Sequence, residues 1–253
     1  MRLLLLFLLL PYFLAAQAEN DYPDKYVWAK SGLTMRNAGN AQGAKMMVVP
    51  FGAKVLPTGN IGAQVNVTAL AATSYQQGTQ TYKSEPYVMY DSYVEVVYQG
   101  KTGFVYNGYL STYSPATKSG YTVDYTEWME AQFGTPTNVD KQKMLWPHNI
   151  DDRQQVSHYP AGVMATSTEY EGGGSMTFIF PSGSINDGYL IAAHFFGITD
   201  PVNKKEEFNE DTDFLPELLD VQENGTLQFT GDMSETVIRV IGEMLIISSS
   251  GGC

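Results

Sequence analysis

Three histidines, His148, His158 and His194, are the side chains of this chain best suited to acid–base or metal chemistry. Asp151 and Asp152 follow His148 closely, so a hydrolytic site built from these two carboxylates with His148 and His158 is one hypothesis. The spacing matches no common zinc pattern, and solvent-exposed or capping histidines are the alternative. His194 lies in an apolar segment and is expected to be a strand residue.

A nucleophile is harder to find in this sequence. The one cysteine is Cys253, the last residue, which is poorly placed to be held against a histidine base. The Gly-x-Ser-x-Gly turn of serine hydrolases is missing from the sequence. We therefore predict no catalytic residue, and a single cysteine forms no disulfide within the chain.

One acidic segment resembles a calcium-binding loop in its spacing. Asn209, Asp211 and Asp213 alternate as such ligands do, and Asp220 occupies the twelfth position. Phe214, however, stands where the sharp turn of that loop requires glycine. We therefore interpret the segment as a solvated acidic loop, and predict neither a metal site nor a cofactor.

The charge balance restricts the class of partner. The chain has 27 acidic and 15 basic residues, a formal net charge of −12. Nucleic acids and anionic membrane surfaces repel such a chain, so neither is a predicted partner.

The first residues have the three parts of a secretory signal. Arg2 precedes the apolar run 3–14, and Ala16 and Ala18 occupy the small-residue positions that a signal peptidase recognises. The run is shorter than the roughly 20 residues that span a bilayer. We expect residues 1–18 to be removed and the protein to be extracytoplasmic, either periplasmic or secreted, with no membrane anchor remaining.

The elements that follow are mostly short segments with the period-two alternation of strands. The turn at 99–101 favours a tight hairpin because Gly100 can adopt positive φ. Many short strands at close spacing indicate an antiparallel barrel or sandwich. The predicted strands of the first half are 26–30, 45–49, 54–56, 64–69, 93–98 and 102–106.

A polar segment, 111–120, separates this half from the second, and we assign 114–120 as a linker. Asp124 and Glu127 form a capping-box pair that predicts a helix ending before Gly134. A short helix is also expected around 215–221. With the strands added, residues 121–253 are predicted to be an α+β domain with an antiparallel sheet. The predicted strands of this half are 162–170, 175–180, 189–196, 226–229, 236–241 and 244–248.

Three segments resemble bacterial SH3 (SH3b) domains over residues 26–113. The first is YVWAKSGLTMRN, the second is MMVVPFGAKV, and the third is VEVVYQGKTGFVYNGYL, which is similar to the closing hairpin of that family. Tyr93 and Phe104 stand where the family usually has tryptophan. The resemblance implies a small β-barrel, with Phe104 in its core, that commonly binds cell-wall peptides or tethers partner domains.

The barrel segment departs from the family by a long insertion between Val55 and Tyr93, which we expect to form an extended hairpin. The segment is also rich in tyrosine, whose apolar ring and polar tip suit a peptide or glycan groove. Cross-strand packing is the alternative for such rings. The candidate ligand-binding residues are Tyr87, Tyr90 and Tyr109.

Three functions remain open from the sequence. The leading hypothesis is an exported, non-catalytic protein whose barrel binds a cell-envelope peptide, glycan or protein partner. The first alternative is a hydrolase with its active site in the second domain, around the histidine and aspartate residues above. The second is a structural or inhibitory protein that presents the insertion to a partner.

Overall fold

Strands predominate in the structure of this chain, a computed structural model. It describes residues 22–116, 125–145, 151–170, 172–196, 198 and 218–252. The predicted signal peptide, the calcium-like residues 209–213 and Cys253 therefore lie outside the described residues.

The first half of the chain contributes nine described strands. In chain order they are β1 (Lys25–Val27), β2 (Leu33–Arg36), β3 (Lys45–Val49), β4 (Lys54–Leu70), β5 (Thr73–Gln77), β6 (Gln80–Ser84), β7 (Tyr87–Tyr98), β8 (Lys101–Tyr106) and β9 (Leu110–Ser111).

These strands form a curled antiparallel half-barrel and a separate hairpin. Within the described residues the half-barrel has the order β3-β2-β8-β7-β4-β1-β9, and β5 pairs with β6 alone. Side chains alternate between its two faces, as in β2, where Leu33 and Met35 are buried and their neighbours are half-buried. The prediction of a mainly β, antiparallel first half is confirmed.

The turn between β7 and β8 is the tight hairpin that the sequence predicts. Gln99 and Gly100 both have positive φ, 49° and 71°. Such a turn twists in the same sense as the strands that it joins, and glycine adopts it without a steric cost. Tyr98 and Lys101 pair directly across it.

The predicted insertion is built differently from the rest of the barrel. The two strands predicted at 54–56 and 64–69 are one continuous strand, β4, which pairs along β7. Its register shifts at three places between Pro57 and Leu70, so the strand bends instead of breaking. The glycines at 59 and 62, which suggest a break in sequence, lie inside this strand.

The second half of the chain contributes two described helices and eight described strands. They are α1 (Tyr125–Phe133), β10 (Asn138–Leu145), β11 (Asp151–His158), β12 (Met164–Tyr170), β13 (Gly173–Phe180), α2 (Ile185–Phe195), β14 (Leu218–Val221), β15 (Leu227–Thr230), β16 (Ser234–Ile241) and β17 (Met244–Gly252).

The eight strands form one antiparallel sheet in the order β10-β11-β12-β13-β17-β16-β15-β14. The helix α1 confirms the prediction from the residues before Gly134, although its predicted cap, Asp124, lies outside the described residues. No helix in the described part of the chain is long and apolar enough to cross a membrane.

The strand predicted at 189–196 is wrong, because these residues belong to helix α2. The hydroxyl of Ser184 accepts the backbone N–H of Asp187 at 3.1 Å, and the carboxylate of Asp187 accepts the N–H of Ser184 at 2.9 Å. This capping box starts the helix. The apolar run that follows is buried from Tyr189 to Ala192, so it lacks the one-sided pattern by which a surface helix is recognised.

The short helix predicted around 215–221 is also wrong where it is described. Residues 218–221 form β14, which pairs antiparallel with β15, and 215–217 lie outside the described residues. Two further strands, β10 and β11, were not predicted because most of their residues are polar, as in segment 140–143 (DKQK). In the structure β10 pairs with β11, and β11 pairs in turn with β12.

Candidate functional site

An open cleft of about 490 Å³ is lined by residues of the half-barrel and of the loop between β1 and β2. One wall is the loop 29–33, which joins β1 to β2, together with Thr34 and Arg36 of β2. Val67 of β4 and three tyrosines complete it. The cleft combines an apolar, aromatic surface with a few polar groups, as ligand-binding clefts usually do.

The three tyrosines come from consecutive elements. Tyr93 lies on β7, Tyr106 ends β8, and Tyr109 lies in a 3₁₀ turn between β8 and β9. The rings of Tyr93 and Tyr106 meet edge to face at 6.1 Å, and so do those of Tyr106 and Tyr109. The Tyr106 hydroxyl donates to the carbonyl oxygen of Met89 at 2.8 Å, which fixes the central ring.

Two of these phenols, Tyr106 and Tyr109, have raised pKa values. Burial, assisted by the nearby Asp91 carboxylate, raises the pKa of Tyr106 to about 12. Burial also raises the pKa of Tyr109. These two tyrosines therefore present neutral aromatic rings to anything that enters the cleft.

Polar and cationic side chains also line the cleft. Lys30 and Ser31 are exposed, whereas Thr34 and Arg36 are half-buried. The Arg36 Nη1 donates to the carbonyl oxygen of Gly43 at 2.7 Å, so the β2–β3 loop holds the guanidinium in place. An arginine has five N–H donors, and this contact uses one of them.

Gly32 determines the path of the loop in this wall. Its N–H donates to the carbonyl oxygen of Ala29 at 2.8 Å, and its φ is +79°. A Cβ at this position would lie 2.6 Å from a methyl carbon of Val48 and 2.9 Å from the carbonyl oxygen of Val49. Only glycine fits this turn against β3, and the turn places Lys30 and Ser31 at the cleft.

The structure separates the three tyrosines that the sequence proposes for ligand binding. Tyr109 lines the cleft. Tyr90 pairs with Asn66, and its side chain lies on the face of the sheet opposite to that of its neighbour Met89. It is 63% exposed and does not line the cleft.

Tyr87 is buried and lies apart from the cleft. Its ring is 4.8 Å from that of Tyr189, and its hydroxyl donates to the Asn186 Oδ1 at 2.6 Å. Burial raises its pKa, with smaller contributions from the neighbouring tyrosines and from Asp187 and Asp91. Tyr87 therefore joins the half-barrel to α2 in this structure, and its role as a ligand contact stays a prediction.

Sequence reasoning missed most of the cleft. Lys30 and Arg36 were read as parts of a structural motif, and Tyr93 as a substitution for tryptophan in that motif. The sequence signal for Lys30 and Arg36 is their position on either side of Gly32, in the loop and strand that precede β3. Tyr93 has no such signal, because only the curl of the sheet brings it to the same cleft.

A polar cluster lies between the barrel and α2. The Lys25 Nζ donates to the Asn107 Oδ1 at 2.6 Å, and the Asn107 Nδ2 donates to both oxygens of Asp91 at 3.0 Å. Asn186 reaches the same carboxylate at 3.4 Å. Burial lowers the pKa of Lys25, and the charges of Asp187 and Asp91 oppose this shift. The cluster is internally paired, so we assign it a structural role.

The described part of the hydrolase site proposed from the sequence is spread along strand β11. His158 ends β11, whereas Asp151 and Asp152 begin it, roughly 20 Å away at the rise of an extended strand. The partner of His158 is Asp140, with its Oδ2 3.6 Å from the His158 Nε2, at the exposed edge of the sheet. His148 lies outside the described residues.

His194 lies on α2 and not in a strand. Its ring packs edge-on against Trp28 at 5.7 Å and is stacked with Phe51 at 6.1 Å. Burial lowers its pKa, and the positive charge of Lys30 lowers it further. The ring therefore belongs to the contact between α2 and the barrel, close to the cleft wall.

Metal binding is not supported by any cluster that the structure describes. Within the described ranges, no three His, Cys, Asp or Glu side chains form a group that could hold a metal ion. Asp220 lies exposed on β14, apart from the rest of its predicted loop, which is outside those ranges.

Comparison of the chain with protein-family models, with curated proteins and with solved structures finds no significant match.

Proposed function

We propose that this chain is an exported, non-catalytic binding protein whose SH3-like barrel binds a peptide, glycan or protein partner of the cell envelope. The cleft lined by Tyr93, Tyr106 and Tyr109 together with Lys30 and Arg36 is the observation that carries this proposal. Its combination of aromatic rings with fixed polar groups fits recognition of an extended polar ligand.

The architecture supports the SH3-like part of the proposal. The half-barrel covers the segment that resembles bacterial SH3 domains, and the hairpin at Gln99 and Gly100 joins two of its inner strands. Met35, Val49, Val55, Val96 and Val105 are fully buried inside it, which gives the cleft a rigid apolar support. A rigid wall lowers the entropy cost of binding because few groups must become ordered.

Export is the second part of the proposal. It is supported by the basic residue, apolar run and small residues of 1–18, and by the acidic composition, which suits a soluble extracytoplasmic protein. Cell-wall peptides, glycans and envelope proteins are accessible in that compartment. Mass spectrometry of the protein secreted or released from the periplasm should show a mature chain beginning at Glu19.

A sedimentation assay with purified peptidoglycan, together with a pull-down on envelope proteins, tests binding. We expect the mature protein to bind at least one of these preparations. Tyr109→Ala should weaken binding about tenfold, because it removes an aromatic ring from the cleft. Tyr90→Ala is the matched control, because Tyr90 lies on the outer face of the same sheet.

Two outcomes would contradict the proposal. Absence of wild-type binding to peptidoglycan and to envelope proteins would remove the function. An equal loss of binding affinity in Tyr109→Ala and Tyr90→Ala, with both variants keeping the wild-type thermal midpoint, would show that the cleft is not the binding surface.

A further inference from the structure

The cleft differs in charge from the rest of the molecule. The chain has a formal net charge of −12, with almost twice as many acidic as basic residues. The charged residues that line the cleft in the described part of the chain are nevertheless both basic, Lys30 and Arg36. A concave surface lined by one sign of charge concentrates its field there and favours ligands of the opposite sign.

We infer that the cleft recognises a carboxylate on its ligand, held by Arg36 and Lys30, while the tyrosines contact the adjoining part of the ligand. This inference rests on the proposed function and specifies the chemistry of the group that is bound. A carboxylate-bearing peptide of the cell wall is the ligand class that it selects.

Arg36 is arranged as a fixed donor. Its contact with the Gly43 carbonyl orients the guanidinium and leaves donors on the other nitrogens. Planar guanidinium groups bind carboxylates through two parallel hydrogen bonds, which are stronger than neutral ones. The arginine side chain is therefore already ordered before a ligand binds, so binding costs less conformational entropy.

Lys30 adds a second charge at the exposed edge of the cleft. It lies two residues before Gly32, so the tight turn fixes its backbone while its long side chain stays in solvent. The hydroxyls of Ser31 and Thr34 lie along the same wall and are able to donate to a carboxylate oxygen. The wall thus offers donors of two kinds to one anionic group.

The tyrosine side is compatible with an anion. Because burial raises the pKa values of Tyr106 and Tyr109, both phenols keep their protons and do not repel a carboxylate at neutral pH. A long polyanion such as nucleic acid would extend from the cleft over an acidic protein, whereas a single carboxylate is held locally.

The experiment compares one pool of muropeptides, released from purified peptidoglycan, with the same pool after chemical amidation of its carboxylates. We expect the native pool to bind the wild-type protein about tenfold more tightly than the amidated pool, as loss of a charge-assisted contact would cause. Raising the salt concentration should reduce this difference.

Two variants test whether the difference in affinity between the native and amidated pools arises in the cleft. Lys30→Gln removes an exposed charge without disturbing the core, and should reduce the native-to-amidated ratio by about threefold or more. Lys83→Gln is the matched control: Lys83 is exposed on β6 and does not line the cleft, so it should keep the wild-type ratio.

The outcomes separate this inference from the proposed function. Equal binding of both pools, with Tyr109→Ala still weakening it, overturns carboxylate recognition and leaves the proposed function standing. No binding of either pool, of intact peptidoglycan or of envelope proteins overturns both. A preference for the native pool that Lys30→Gln and Lys83→Gln reduce equally also overturns the inference, because general charge would then explain it.

Discussion

His194 lies where α2 meets the barrel, and its ring is enclosed by aromatic side chains. Trp28 and Phe51 approach it from the barrel, and Phe195 from its own helix at 4.9 Å. A protonated imidazole in this position would lose hydration and face the charge of Lys30, which is why the pKa of His194 is lowered. The native contact therefore requires the neutral ring.

This requirement makes the stability of the protein sensitive to acid. The unfolded chain takes up a proton at His194 near its ordinary pKa of 6.5, whereas the folded chain does so only at lower pH. Stability from this group is therefore fully present above about pH 6.5 and is lost as the pH falls from there to the folded-state pKa. We expect the free energy of unfolding of His194→Phe, measured by urea denaturation, to fall less steeply than that of the wild type below about pH 6.5.

His158→Gln is the control for this measurement, because His158 ends β11 and has Asp140 as its partner, with none of the aromatic contacts of His194. Carboxylates contribute to the pH dependence of the unfolding free energy in the wild type and in both variants. The informative quantity is therefore the difference in slope between the proteins. A wild-type slope in His194→Phe would show that the buried imidazole is not linked to folding.

At the scale of elements, the end of the hairpin β5–β6 contacts β14, the outer strand of the second sheet. The Glu85 N–H donates to the Leu219 carbonyl oxygen at 2.8 Å, the Leu219 N–H donates to the Ser84 Oγ at 2.9 Å, and the Val221 N–H donates to the Glu85 carboxylate at 2.8 Å. The insertion thus covers part of the free edge of β14, which would otherwise expose unpaired backbone groups.

Ser84→Ala tests this contact. Ser84 and Leu219 are both buried, at 6% and 2% exposure, so the variant leaves the Leu219 N–H without its acceptor. We expect the free energy of unfolding to fall by about 1–3 kcal/mol and the amide of Leu219 to exchange faster with deuterium. Thr81→Ala, at an exposed position of the same strand, should change neither; an unchanged Leu219 amide in Ser84→Ala would contradict the contact.

The elements also show what the sequence could and could not predict. Strands β3 and β8 were found nearly to the residue, because each is a short run rich in apolar or aromatic residues and bounded by glycine or proline. Helix α2 was missed because it is buried between a sheet and the barrel, and its apolar run reads equally well as a strand. Gly188 on this helix permits close packing, since a methyl group there would collide with Ile238 and Leu245.

The candidate site depends on information that no single segment contains. Tyr87 and Tyr90 look alike in sequence, and only the register of β7 against β4 decides which of them faces the core. Tyr109 as a ligand-binding residue stays a prediction; Arg36 and Tyr93, which line the cleft with it, come from strands that are distant in sequence. Long-range pairing of this kind is not encoded in local spacing.

At the scale of the whole molecule, the two halves share one hydrophobic core. The Trp28 Nε1 donates to the Tyr113 carbonyl oxygen at 2.7 Å, and the ring of Tyr113 packs on Phe180 at 5.1 Å. Ser114, the first residue of the predicted linker 114–120, is hydrogen-bonded to Gln132 of α1 at 2.7 Å. The assignment of two domains stays a prediction, but their described residues are packed together.

This packing predicts that the halves unfold together. We expect calorimetry of the mature chain to give one transition, because separating the halves would expose Trp28, Tyr87 and Tyr113 to water. Tyr87→Phe removes the hydrogen bond to Asn186 at the contact and should lower stability by about 1–2 kcal/mol, or the Tm by about 2–8 °C, while the transition stays single.

Tyr90→Phe removes a hydroxyl from the outer face of the same strand and should stay within about 0.5 kcal/mol of the wild type. Hydrogen exchange measured on β7 and on β17 should then report the same free energy of opening for the two sheets, because each is held in place by the other. Two calorimetric transitions, or opening of β17 at a free energy well below that of β7, would show that the sheets fold independently and that α2 joins them only weakly. The transition could also stay single while Tyr87→Phe changes neither the hydrogen-exchange protection of the two sheets nor the Tm. That result would place the coupling in the Trp28 and Tyr113 contacts.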